Sequence, residues 1–286
     1  VYDIIESGIC PVLFFVWCIR RDRLKNLKLA AVCLSCLTMT GCSALNFSVE
    51  GLINAPKLTS EQSEIHQALI ESVGSNITLK YPKNGEYRSA YVIANIDDEP
   101  TDEAMVFYEY TSNGSEEDGL RVNILDKDEK GKWYSVKELA GAGTDIDQVI
   151  ISPMGSNNQT DVFVGYQNLT NDEKTMEIYS YTDGDFKRVA LDTYSVLEPL
   201  DINNDGYIEL ITIQRSTNND TGVVTAKASM LNMKNNEITR GENVDMCDNV
   251  TSYVSSKTGM LDSGRRAIFI DGLTADGKLQ TEIIYY

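Results

Sequence analysis

LEPLDINNDGYIELITIQ, residues 197–214, is the stretch on which the fold turns. Its centre, Asp201 to Glu209, sets oxygen-bearing residues at positions 1, 3, 5 and 9 around a glycine at position 6. A hard cation such as calcium takes six to eight oxygens at about 2.3–2.6 Å. Asp201, Asn203, Asp205 and Glu209 offer side-chain oxygens, Tyr207 offers its backbone carbonyl, and Gly206 permits the tight turn. A helix-loop-helix calcium site needs a bidentate Glu at position 12 and a helix after it. Position 12 here is Thr212, inside IELITI, and a β-branched run of that kind reads as a strand. The stretch is therefore a cation loop between two strands.

Outward from this loop, the same strand–loop–strand text returns three times. YVIANIDDEPTDEAMVFYE (91–109), VIISPMGSNNQTDVFVGY (149–166) and SSKTGMLDSGRRAIFIDG (255–272) align with it, and their second strands start near Glu103, Asp161 and Arg266 against Glu209. Those starts lie 58, 48 and 57 residues apart, a period expected of propeller blades. Hairpin-like pairs fill the intervals, RVNILDKDEKGKWYSV (121–136) and TMEIYSYTDGDFKRVAL (175–191), the second with Asp183-Gly184 at its turn. Two strands plus a hairpin make four per repeat. The expected fold is all-β, a propeller of four-stranded blades with about four blades present, and the final LQTEIIYY reads as the third strand of a fourth blade that continues beyond this chain. Only the 201–209 copy keeps the full ligand pattern. In the first copy Asn95, Asp97, Glu99 and Glu103 keep the spacing as a weaker cation candidate, but Pro100 stands where the turn glycine belongs. The 153–161 copy opens on Pro153 and Met154 and retains only Asp161, and the loop near Asp262 is shortened.

The only convincing helical text precedes the strands. Thr59 with Gln62 makes a capping box, Ile65, Leu69, Ile70 and Val73 recur at helical spacing, and Gly74 suits the stop. Residues 42–58, with Gly51 and Pro56, read as a tether, so that 59–286 is the propeller with its N-terminal helix. Before the tether, Lys25 and Lys28 are followed by the apolar run Leu29–Leu37 and by small residues, which is the layout of a secretion signal. Its end, Met39-Thr40-Gly41-Cys42, resembles the bacterial lipobox, which implies a lipid on Cys42 and cleavage just before it; Met39 departs from the usual Leu. Residues 1–23 fit no part of that signal. Arg20-Arg21, encodable as AGG AGG shortly before Leu24, reads as a ribosome-binding site, which makes 1–41 a spurious leader plus a lipoprotein signal peptide.

Composition agrees with an exported globular module. The 286 residues are 42% hydrophobic, enough for a real core, and carry a net charge of −18. At that charge nucleic acid is not an expected partner. Of six cysteines, only Cys42 and Cys247 lie past the expected cleavage point, so no disulfide framework is expected and Cys247 reads as a small buried hydrophobe.

DINNDGYIELITI resembles the metal loop of FG-GAP/VCBS-type repeats, the repeats of seven-bladed propellers related to integrin α-subunit blades. With its lipobox, helix and degenerate repeats, the wider chain is similar to FG-GAP/VCBS-repeat lipoproteins of Gram-positive bacteria. The resemblance covers roughly residues 85–286 and implies calcium that stiffens the loop within a blade. It implies a lipid-anchored protein on the outer face of the cytoplasmic membrane, held by its acyl chains. A glycan or protein of the cell envelope is its expected ligand.

Catalytic text is thin. His66, the only histidine, lies on the expected helix and reads as a surface residue, so no histidine-based triad or multi-histidine zinc site can be assembled. Gly141-Ala142-Gly143 lacks the strand-to-helix setting of a nucleotide loop and reads as a turn between blades. Tyr108 with Tyr110, Tyr179 with Tyr181, and Tyr166 alternate as packing residues do. A binding or scaffolding module, not an enzyme, is the expected function. The competing reading is a cell-envelope enzyme with its active site in the propeller channel or in further C-terminal blades.

Overall fold

Loop chemistry divides the chain into short strands, and the strands pair with their sequence neighbours. The computed structural model describes residues 58–286, apart from 112–118, 155–159, 170–172, 219, 221, 235–236 and 248–249, together with the backbone of residues 15–20. The expected signal segment, Cys42 and nearly all of the 42–58 tether lie outside the described residues.

One helix, α1 (Ser60–Val73), opens the folded part. Thr59 caps it as expected, its hydroxyl accepting from Gln62 N at 3.1 Å while the Gln62 side chain accepts from Thr59 N. Gly74, at φ 87°, ends it, and Ile65 and Leu69 are fully buried beneath it.

Four antiparallel sheets follow in chain order. The first holds β2 (Ile77–Leu79), β3 (Tyr91–Ala94), β4 (Glu103–Tyr110), β5 (Leu120–Lys127) and β6 (Trp133–Ala140), with β2 and β3 pairing opposite ends of β4. The second is β7 (Asp145–Ser152), β8 (Asp161–Gln167), β9 (Lys174–Thr182) and β10 (Asp185–Tyr194). The third is β11 (Val196–Leu200), β12 (Glu209–Thr217), β13 (Val224–Lys234) and β14 (Glu237–Arg240), with the two-residue β15 (Val244–Asp245) on the far end of β13. The fourth is β16 (Val250–Met260), β17 (Arg266–Thr274) and β18 (Leu279–Tyr285). Its last edge is taken by β1 (Phe15–Arg20), which runs antiparallel to β18 from Phe15 opposite Tyr285 to Arg20 opposite Gln280. Residues read in the sequence as part of a leader thus stand as a strand of this sheet.

Each second strand starts where the repeat alignment puts it, at Glu103, Asp161, Glu209 and Arg266. The Asp183-Gly184 turn between β9 and β10 has both residues at positive φ, 55° and 76°, as a two-residue hairpin turn requires.

Alternation along the strands sends successive side chains to opposite faces, and each face has a different neighbour. On β4, Ala104, Val106 and Tyr108 pack with α1, while Met105 and Phe107 join Val162 and Val164 of β8 in the core between sheets one and two. On β8, Phe163 turns the other way to meet Leu210 and Leu231 between sheets two and three. On β12, Ile211 and Ile213 continue to Ile268 and Ile284 of sheet four. The sheets therefore stack face to face in the order of the chain. Sheet one passes to sheet two through residues 141–144, where glycine is required by contact: a Cβ on Gly143 would lie 2.6 Å from the Gln167 carbonyl oxygen. This confirms a turn between sheets at the Gly141-Ala142-Gly143 run. Between sheets two and three the connection is Ser195 alone.

Candidate functional site

The loops that enter the second strands share one device. A carboxylate at the first position of the strand turns back and accepts the backbone N–H seven residues earlier. Glu103 Oε2 accepts from Ile96 N at 2.8 Å, Asp161 Oδ2 from Met154 N at 3.3 Å, and Glu209 Oε2 from Ile202 N at 3.1 Å. All three acids are buried, and each bond closes its loop onto the sheet. The fourth sheet breaks the rule. Arg266 takes the same position and reaches back to the 201–209 loop, donating from Nη1 to the Asp201 carbonyl at 2.8 Å and pairing with Asp201 Oδ2 at 3.1 Å.

Within the 201–209 loop, backbone amides wrap the side-chain oxygens. Asp205 N donates to Asp201 Oδ1 at 3.0 Å and to Asn203 Oδ1 at 2.8 Å, Gly206 N to Asp201 Oδ2 at 3.3 Å, and Tyr207 N to Asp205 Oδ1 at 2.9 Å. Asn204 and Gly206 supply the positive φ values, 61° and 94°, that such a coil requires. Asn203 Nδ2 lies between two carboxylates, 3.0 Å from Asp205 Oδ2 and 2.9 Å from Glu209 Oε1. An electropositive group is held at that point by two negative ones. Burial, and then the charges of Asp205 and Asp201, push the Glu209 carboxyl up to about 7. Oxygen is the only ligand chemistry offered, which suits calcium and not a soft metal. The four side chains named from the sequence do meet in one loop; its carboxylates are spaced by amides, and among the described residues no three Asp, Glu, His or Cys groups are drawn into a closed cation cage.

The 95–103 loop is built more loosely. Asn95 Nδ2 donates to the Glu99 carbonyl at 2.6 Å and Glu99 N to Asp97 Oδ1 at 2.7 Å. Glu103 Oε1 is buried and has no hydrogen-bond partner among the described residues. Burial, and then Asp97 and Asp126, lift Glu103 to about 7. Asp126, on β5, belongs to this acidic group although the repeat pattern does not include it.

A second feature had no signal in the sequence. Between sheets two, three and four lies a cavity of about 550 Å³, walled by β7, β11, β16 and the 84–87 segment. A neighbouring cavity of about 350 Å³ shares Lys174, Ser195 and Tyr253 with it. At its base Asp147 is 1% exposed and heavily bonded: Tyr194 Oη donates at 2.6 Å, Asn84 Nδ2 at 2.8 Å, and Lys174 Nζ pairs at 3.0 Å. Burial alone would raise its pKa, but Lys174 and these donors outweigh it and hold the carboxyl below the usual aspartate value. Opposite, Glu198 accepts from the Ser256 hydroxyl, and burial pushes its carboxyl up. The Tyr253 hydroxyl is buried and has no partner among the described residues.

The remaining sequence candidates are placed as follows. His66 is half-buried and not a free surface residue, with Nδ1 2.8 Å from Tyr91 Oη. Cys247 is half-buried beside Glu282 and is not a fully buried hydrophobe. Tyr108 and Tyr110 both donate to Glu138 Oε2, at 2.6 and 2.8 Å, and Tyr166 and Tyr179 are buried, which fits strand packing. No helix among the described residues is long and apolar enough to cross a membrane. No protein-family model matches the chain, and no curated protein matches it.

Proposed function

We propose that the chain is a lipid-anchored, extracytoplasmic binding or scaffolding module whose sheets form a calcium-stabilised β-propeller of the FG-GAP/VCBS kind. The observation that carries this reading is the 201–209 loop, where Asp201, Asn203, Asp205 and Glu209 gather oxygens around one turn and Glu209 is tied back to Ile202 N. Support for the propeller comes from four sheets in chain order, each entered at one edge by the strand–loop–strand unit. The lipid on Cys42, the bacterial envelope location and a glycan or protein ligand rest on the sequence.

Calcium would be held by the side chains of Asp201, Asn203, Asp205 and Glu209 and by the Tyr207 carbonyl. Bound there, it supplies the positive charge that the loop's own groups offset only in part. Asn203 and Arg266 now carry that role, Arg266 by pairing with Asp201. The work of the residues is structural: they fix the entry of β12 and, through Arg266, the edge of sheet four.

Thermal unfolding with calcium against chelator tests the reading. Saturation to about 100 times Kd adds about 2.7 kcal/mol, an upward shift of roughly 5–10 °C for a domain of this size. Asp201→Ala with Asp205→Ala should abolish the shift. A wild-type melt indifferent to calcium would sink the proposal.

A further inference from the structure

We propose that the cavity between β7, β11 and β16 binds a neutral, hydroxyl-rich ligand, a mono- or disaccharide unit. The inference deepens the binding-module reading by giving it a site and a ligand class, but it uses none of the calcium-loop residues. Size comes first: about 550 Å³, with about 350 Å³ adjoining, lies in the range of small-molecule sites.

The walls then select chemistry. β7, β11 and β16 are each the terminal strand of their sheet; on β7 the Ile146 and Asp147 carbonyls accept from Lys83 N and Asn84 N, and elsewhere the outward backbone groups of the three strands have no ladder partner on the cavity side. Gln148 Nε2 takes up one of them, the Leu197 carbonyl, at 3.3 Å. Ser195, Ser255 and Ser256 add hydroxyls. Such a wall alternates donors and acceptors, as the hydroxyls of a sugar do. Tyr253 borders both cavities, and its hydroxyl is itself buried, so the wall hydroxyls that face a ligand are those of the serines. Tyr87 and Tyr253 are the aromatic surfaces available to the C–H face of a sugar ring.

Charge argues against an ionic ligand. Lys174 is engaged by Asp147 at 3.0 Å, and Arg215 is the other cation of the walls. Against them stand Asp147, the exposed Glu86, and Glu198, which burial pushes toward its neutral form. Neither sign is in surplus. An anion would meet Asp147 and Glu86, and a cation would meet Lys174 and Arg215.

Saturation-transfer NMR on the full chain, with maltose, cellobiose, lactose and chitobiose as probes and a neutral pentapeptide as the comparison, reads the proposal. At least one disaccharide should receive saturation with Kd in the roughly micromolar-to-millimolar range. Ser255→Ala, which removes one hydroxyl of the wall, should weaken it about tenfold, the worth of one hydrogen bond. Glu198→Gln, which keeps the shape, should weaken it too, with the melting transition of both variants unchanged. Transfer to no disaccharide overturns the proposal. So does transfer to the pentapeptide alone, which would assign the cavity to strand pairing, and so does undiminished binding in both variants. The calcium melt on the same samples reads the module separately: a normal calcium shift with no saccharide signal defeats the cavity site and leaves the metal loop standing.

Discussion

Glu103 and Glu209 stand at the same place in the first and third loops and share a predicament: both are buried, both bond one backbone amide, and both face other carboxylates. Their pKa values, raised from 4.5 to about 7, link them to stability. The sign follows from the proton count. Between pH 4.5 and 7 the unfolded chain releases these protons while the folded chain keeps them, so stability is full below about 4.5 and is lost as pH rises toward 7. Glu282, also lifted to about 7 by burial, adds to the same slope. In chelator, the melting temperature should therefore fall from about pH 5 to about pH 7 and level off above it. Calcium, which favours the ionised form, should flatten the fall, and Glu209→Gln should reduce both the slope and the calcium effect. A melting temperature that rises over this window in chelator would refute the assignment.

At the scale of elements, the order of strands was readable because the repeat writes an apolar run at each second strand, opened by an acid in three of the four. Thr59, Gln62 and Gly74 likewise announce α1, since capping is local chemistry. What could not be read is convergence. Asn84, Asp147, Lys174 and Tyr194 come from distant parts of the sequence, and only the stacked sheets bring them to one carboxylate. Arg266, visible in the text only as a misfit in the repeat, proves to be the partner of Asp201 for the same reason. Gly165 shows how tightly β8 and β10 depend on this network, because a Cβ there would fall inside the shell of the Tyr194 hydroxyl that Asp147 holds in place. Gly165→Ala should cost about 1–3 kcal/mol by overpacking. Tyr194→Phe alone should also destabilise, since it strips a donor from buried Asp147. In the double variant the offending oxygen is gone, so the two losses should sum to less than additive. Chemical denaturation of the four proteins gives the coupling; strictly additive losses would mean that the contact is not the constraint.

For the molecule as a whole, the two outermost described sheets are covered in different ways. Sheet one is closed by α1, whose Ile65 and Leu69 cover the outer face of β4. Sheet four is closed along its edge by β1, drawn from residues 15–20. Under the lipoprotein reading, cleavage before Cys42 removes that strand, and β18 becomes an edge with a row of unpaired backbone groups. Among the described residues β18 carries Ile283 and Ile284 in the core and pairs with β17 over its whole length, so the rest of the sheet keeps its own support. A chain starting at Cys42, without its lipid, should therefore fold and melt with the same response to calcium. Its bare edge is a template for another strand, which makes self-association the expected consequence. Sedimentation velocity across a concentration series should show monomer passing to dimer for the shortened chain, and monomer alone for the chain that retains residues 15–20. If both stay monomeric at every concentration, the pairing of β1 with β18 does not protect an edge that needs protection.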